Sequence, residues 1–236
     1  MPESAQMVTP AQRKWLPWLT AVGFFMQTLD GTILNTALPN MAETLGESPL
    51  QMQSVVIAYM LTVALLIPAS GWLADRFGTR RIYLAAILLF TLGSLACAAA
   101  NTLPMLVAAR VLQGVGGALL MPIGRLAVLR VYSKHELLRV MSFVTIPGLV
   151  GPLIGPALGG WLVEVASWHW VFLINLPVGI LGFIASWYFM PDLRQHTARF
   201  DWQGFVLFSV GMVLVSVGLQ GLGEHSISTG WALFAL

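Results

Sequence analysis

Two opposite charges stand inside segments otherwise composed to exclude water. Arg110 lies within the apolar run 103–124, and Asp30 within the run 15–38. A charge near the middle of a membrane helix costs roughly 2.5 to 3.5 kcal/mol even on the lenient insertion scale, so it faces a partner or a water-filled cavity. Asp30 is the one acidic residue well inside an apolar segment, which makes it the candidate partner of Arg110. Depth supports the pairing. Counted from Trp15, Asp30 lies roughly 22 Å from one face, while Arg110, counted from Leu103, lies roughly 10 Å below the other face of a core about 30 Å thick. A carboxylate beside a guanidinium in a site that alternates between wet and dry can load and release a proton. A fixed ion pair, or an Arg110 bonded to backbone carbonyls, is the alternative.

Two further stretches mix backbone chemistry with charge. Gly71-Trp-Leu-Ala-Asp75-Arg76-Phe-Gly78-Thr-Arg80-Arg81 falls between two apolar runs. Gly71 and Gly78 allow tight turns, and Asp75 can accept from helix-terminal amides as a reversible latch. A basic loop that only fixes topology is the alternative. In Gly151-Pro-Leu-Ile-Gly155-Pro156-Ala-Leu-Gly159-Gly160, three glycines recur every fourth residue on one helical face. That row permits close helix contact, and Pro152 and Pro156 free two carbonyls. It is either a packing seam or a hinge.

The elements that must position these residues are membrane helices. Of 236 residues, 57% are hydrophobic and 9% charged, and mean hydropathy is +0.80. That is too apolar for a soluble surface. Apolar segments at 15–38, 50–73, 82–100, 103–124, 140–163, 170–190 and 204–222 each match the length of a span, and an eighth begins at Trp231. The first is about twice the length of a signal-peptide core, so it is a retained helix. Arg13 and Lys14, then Arg76, Arg80 and Arg81, then Arg125, Arg130, Lys134 and Arg139, then Arg194 and Arg199 all fall in alternate loops. The opposite loops carry Glu43, Glu47, Asn101, Glu164 and His169 instead. This bias predicts a cytoplasmic amino terminus. Trp15, Trp18, Trp168, Trp170 and Trp202 are expected as interfacial anchors.

The expected organisation is a cytoplasmic tail at 1–14, a six-helix bundle at 15–190, a linker at 191–203, a seventh span at 204–222, and an outer loop with the start of an eighth at 223–236. Basic residues sorted by loop, rather than gathered on one face, argue against nucleic acid. His135, His169, His196 and His225 alternate between the two sides, so no metal or catalytic centre is expected. Cys97 should be a small core residue. Met26, Met41, Met52, Met60, Met121 and Met141, with Phe24 and Phe25, either line an adaptable pocket or face core and lipid.

With these stretches set out, the chain resembles the major facilitator superfamily, and within it the fourteen-helix drug:proton antiporters. Leu29-Asp30-Gly-Thr32-Ile-Leu-Asn35-Thr-Ala37-Leu-Pro39 is similar to the family's first-helix signature, and residues 71–81 to its loop signature. Arg110-Val-Leu-Gln113-Gly114-Val-Gly116-Gly117 is similar to the fourth-helix motif, and residues 151–160 to the fifth-helix motif that marks antiporters. The resemblance implies an all-α amino-terminal half of a proton-driven efflux pump for amphipathic drugs, with no cofactor and a second bundle still to be added. Asp30 and Arg110 would handle protons, Gly71, Asp75, Arg76, Gly78 and Arg80 would control the change of state, and Gly151, Gly155, Pro156, Gly159 and Gly160 would govern antiport. Thr79 departs from the loop signature, which usually has a basic residue there, and this weakens a strict charge relay. Rival readings are a symporter or facilitator for a polar metabolite, or a membrane scaffold or sensor that transports nothing. An enzyme is disfavoured, since no reactive cluster gathers at one depth.

Overall fold

The computed structural model describes residues 8–195 and 199–223, with side chains through 216. Every regular element among them is a helix: α1 (Pro10–Leu45), α2 (Pro49–Phe77), α3 (Thr79–Ala98), α4 (Leu103–Val131), α5 (Lys134–Val165), α6 (His169–Leu173), α7 (Asn175–Phe189) and α8 (Trp202–Gly223). Local chemistry sets several ends. Thr9 with Gln12, and Ser48 with Gln51, form reciprocal capping boxes, and a proline opens each helix that follows. At the other end α1 stops at Gly46, whose φ of 69° suits a residue without Cβ. The start of the eighth span, from Trp231, lies outside the described residues.

Five stretches among the described residues are long and apolar enough to cross a membrane: α2, α3, α4, α5, and α6 with α7 taken as His169–Phe189. The first helix has length to spare at 36 residues. Its apolar character is diluted by Gln27, Thr28, Asp30, Thr32, Asn35 and Thr36, and Asp30 among these turns into the bundle. The sixth apolar segment is one continuous run in sequence but two helices in space, broken between Leu173 and Asn175.

α1 packs along α5 and crosses α4; α4 is also flanked by α2 and α3; α7 closes on α3 and α1; α8 rests on α2. Two apolar cores result. One, containing Leu16, Met26, Tyr83, Phe90, Ile123 and Val128, fills the end of the bundle where the basic residues lie. The other, containing Ile33, Met41, Met52, Leu106, Trp168 and Phe172, fills the opposite end. Trp168 belongs to this second core at 1% exposure, which corrects its expected place at the membrane interface; Trp15, Trp18, Trp170 and Trp202 remain exposed. An indole stacked on His169 and walled by Phe172 buries more apolar surface than it would at the headgroups.

Small residues let the helices approach closely. A methyl group on Gly116 would lie 2.4 Å from the Phe90 amide nitrogen, and one on Gly93 would lie 2.5 Å from the Gln113 Cα. Any larger side chain there would push α3 off α4, so backbone contact at this crossing depends on both glycines.

Candidate functional site

Between the two apolar cores lies a layer of polar side chains from four helices. Asp30 comes from α1, Ser94 from α3, Arg110 and Gln113 from α4, and Asn175 from the first residue of α7, and all five are buried. Arg110 and Gln113 are three apart on one helix, so they share a face. The break after Leu173 turns Asn175 toward the same layer.

Nη1 of Arg110 donates to Asp30 Oδ2 at 2.6 Å and to Gln113 Oε1 at 2.7 Å. Gln113 returns the contact, its Nε2 donating to Asp30 Oδ1 at 2.7 Å and to Ser94 Oγ at 2.8 Å. Asn175 Nδ2 adds a third donor to Asp30 at 3.2 Å. The carboxylate is thus satisfied on both oxygens, as a buried charge must be. On the other side, Arg110 Nε donates to the Val55 carbonyl at 3.4 Å, and the guanidinium lies 4.1 Å from the centre of the Tyr59 ring. This cation–π contact leaves the Tyr59 hydroxyl buried without a hydrogen-bond partner among the described residues. Cys97 is also buried, its Sγ 3.7 Å from Gln113 Oε1.

Asp30 and Arg110 therefore meet as a buried, paired site. Gln113, Ser94, Asn175 and Tyr59 complete it, and charge alone did not single them out. Their signal in the sequence is weaker: neutral polar or aromatic groups in spans that are otherwise aliphatic.

The remaining sequence candidates gather elsewhere. In residues 71–81, α2 continues through Gly71 to Phe77, so Gly71 is helical rather than part of a turn. Gly78 alone makes the turn, at φ 95°. Asp75 pairs with the Arg130 side chain on α4 rather than with helix-terminal amides. Arg76 is exposed, and Arg80 donates to the Trp187 carbonyl while lying over the Trp187 ring. Thr79, which breaks the charge pattern of the loop, is fully buried. Its hydroxyl donates to the Pro191 carbonyl at 2.7 Å and accepts from the Leu193 amide at 3.0 Å, while its own amide donates to the Leu193 carbonyl. The start of the segment after α7 is therefore docked on the turn between α2 and α3.

On α5, Gly151, Gly155 and Gly159 face α1. Methyl groups there would lie 2.6, 2.4 and 2.3 Å from the hydroxyls of Thr28, Thr32 and Thr36. These threonines bond to carbonyls of their own helix, which keeps their polar groups satisfied within a tight seam. Pro156 and Gly160 lie off the seam and are exposed. Among the described methionines, Met26, Met41 and Met52 are core residues and Met60 is exposed. His135 is exposed, while His196 and His225 fall outside the described residues.

Comparison with known proteins agrees with this architecture. Residues 20–216 match the family model described as Major Facilitator Superfamily. A protein of Pectobacterium atrosepticum, provisionally named multidrug resistance protein MdtD, is 58% identical over 98% of this chain and 49% of its own length. Its namesake in Klebsiella pneumoniae is 57% identical over 94% of this chain and 47% of its own. The chain thus spans about half the length of the curated relatives it matches. Two crystal structures of the peptide transporter POT with sulfate, 21% and 19% identical, superpose with a TM-score of 0.68 over 92% and 97% of this chain and 47% and 51% of theirs. At that identity they speak for the fold alone.

Proposed function

This chain belongs to the major facilitator superfamily of membrane transporters, and on that premise we propose that it forms the amino-terminal part of a proton-coupled multidrug efflux transporter. Protons moving inward would drive amphipathic small molecules outward by alternating access, with the proton gradient as the energy source and no cofactor. The relatives' names support the drug class. The basic residues gathered at one end support an orientation in the inner membrane with the amino terminus in the cytoplasm.

One observation carries the mechanism: the Asp30 carboxylate is buried and held by Arg110, Gln113 and Asn175. A proton delivered to Asp30 cancels its charge and weakens its hold on Arg110. The guanidinium then still has Gln113 Oε1, the Val55 carbonyl and the face of Tyr59. Arg110 therefore keeps partners in both protonation states, which a proton-coupling site needs if it is to cycle without stranding a buried cation. The α1–α5 glycine seam supports a sliding or bending contact during the change of state. The Asp75–Arg130 pair and the Thr79 clasp support a fastening at the cytoplasmic end that opens and closes. A second helical bundle, beyond this chain, would enclose the substrate.

The test uses the full-length protein in inverted membrane vesicles. Asp30→Asn and Arg110→Ala should each abolish efflux of a fluorescent amphipathic cation and its associated proton movement, while membrane insertion is unchanged. Wild-type efflux in both variants would overturn the proposal.

A further inference from the structure

On the flank of the bundle away from the α1–α5 seam, α1, α3 and α7 enclose an apolar groove of about 290 Å³. Trp15 and Trp18 stand at its basic end, and Met26 and Val178 lie at its far end. The stretch from Trp15 to Met26 rises about 16 Å, and the stretch from Ser186 to Val178 about 12 Å. Half of a hydrocarbon core of about 30 Å is about 15 Å, so the groove has the depth of one leaflet.

Three features specify an occupant. Gly182 lines the groove, and a methyl group added there would meet nothing within 4 Å, so the space is open. Ser186, also in the lining, is 1% exposed, and its hydroxyl has no hydrogen-bond partner among the described residues. Most helical hydroxyls here bond to a carbonyl three or four residues back, as those of Thr20, Thr28, Ser70 and Thr91 do, whereas those of Ser186 and of Ser209 on α8 have none. Ser186 stands about one turn from the end of α7, the depth at which acyl esters lie. Basic residues stand near the mouth: exposed Lys14 precedes Trp15, and Arg80, three residues before Tyr83 and so on the same face of α3, donates to the Trp187 carbonyl beside Ser186. Among the described residues no carboxylate lines the groove.

We propose that this groove is a binding site for one anionic phospholipid, with an acyl chain against Gly182 and Met26, an ester oxygen accepting from Ser186, and the phosphate between Lys14 and Arg80. Juxtamembrane basic residues favour an anionic headgroup. The leaflet is the cytoplasmic one under the orientation proposed above; the lipid site itself does not depend on proton coupling.

Native mass spectrometry of the full-length protein, released from micelles holding equal dioleoyl-phosphatidylglycerol and dioleoyl-phosphatidylcholine, tests it. The wild type should retain one phosphatidylglycerol, favoured about tenfold over phosphatidylcholine. Gly182→Phe should fill the groove and remove that retained lipid while the melting temperature in lipid-free detergent stays unchanged. Lys14→Gln combined with Arg80→Gln should erase the headgroup preference, and this variant decides the matter should Gly182→Phe fail to fold. Equal retention of both lipids by the wild type overturns the proposal, as does an undiminished preference in the charge variant. Displacement of the retained lipid from wild type by an amphipathic cation, with no headgroup preference, would instead make the groove a drug vestibule.

Discussion

Arg110 Nη1 lies 2.6 Å from Asp30 Oδ2, and each side chain is 1% exposed. The two partners are not equivalent when left alone. A carboxylate can shed its charge by taking up a proton, whereas a guanidinium cannot in any accessible pH range. Asp30→Asn leaves the guanidinium its Gln113, Val55 and Tyr59 contacts but no counter-charge, and breaking a buried pair from one side costs up to about 3 to 5 kcal/mol. Thermal unfolding of the purified full-length protein at one fixed pH should show Asp30→Asn and Arg110→Gln each destabilised and the double variant losing less than the sum of the two. Additive losses would mean that the pair is not enclosed as described.

The α5 glycines divide into those that touch α1 and those that do not. A Cβ at Gly155 would sit 2.4 Å from the Thr32 hydroxyl, while one at Gly160 meets open space. Overpacking of this kind costs about 1 to 3 kcal/mol. Gly155→Val should lower both melting temperature and efflux, and Gly160→Val should leave the melting temperature unchanged. Comparable destabilisation by the two would contradict the seam.

Thr79 clasps residues 191–193 through its hydroxyl and its amide. Thr79→Val keeps the shape but leaves the Leu193 amide without its acceptor, at about 1 to 3 kcal/mol. Hydrogen exchange of the peptide containing Leu193 should quicken in Thr79→Val and stay near wild type in Thr79→Ser. Wild-type protection in the valine variant would show that the hydroxyl does not hold this segment.

The Asp75–Arg130 pair lies at the same end and is partly exposed. Pairs in such settings contribute about 1 kcal/mol or less and weaken with salt. Asp75→Asn should therefore cost far less stability than Asp30→Asn, and the difference from wild type should shrink between 50 mM and 1 M salt, measured by thermal unfolding. A salt-independent loss as large as that of Asp30→Asn would require a buried role for Asp75.

How much of this could be read from the chain depends on what each feature costs. Asp30 and Arg110 stand out because charge in an apolar run is expensive, and simple rise per residue brings them to one depth. Gln113 stands three residues after Arg110 and so shares its face, but Ser94 and Asn175 carry no charge and cost little in a helix, so nothing in their spacing tells whether they face lipid, a neighbour or the pair. An indole beside loop residues usually belongs at the interface, but the turn before α6 folds Trp168 under Phe172. The sequence shows no side-chain partner for Asp75, since Arg130 lies 55 residues away and only the packing of α2 on α4 joins them. Glycine periodicity in α5 was legible as a seam, but only the register with Thr28, Thr32 and Thr36 identifies α1 as the opposite face.

Cys97 supplies a reporter for opening of the polar layer. It is 0% exposed, and its Sγ lies 3.7 Å from Gln113 Oε1. Reaction with a maleimide requires the thiolate to meet the reagent, so the closed arrangement should protect it. Gln113→Ala removes the side chain between Cys97 and Arg110 and leaves Asp30 Oδ1 with one donor fewer. Labelling of the full-length protein by a membrane-permeant maleimide at fixed pH, read on the peptide containing Cys97, should be slow in wild type and about tenfold faster in Gln113→Ala, a change of about 1.4 kcal/mol in the cost of opening. Gly160→Val, outside both the layer and the seam, should match wild type. Rapid labelling of wild type without substrate would mean that water already reaches this layer at rest, and the pair would then be wet rather than enclosed.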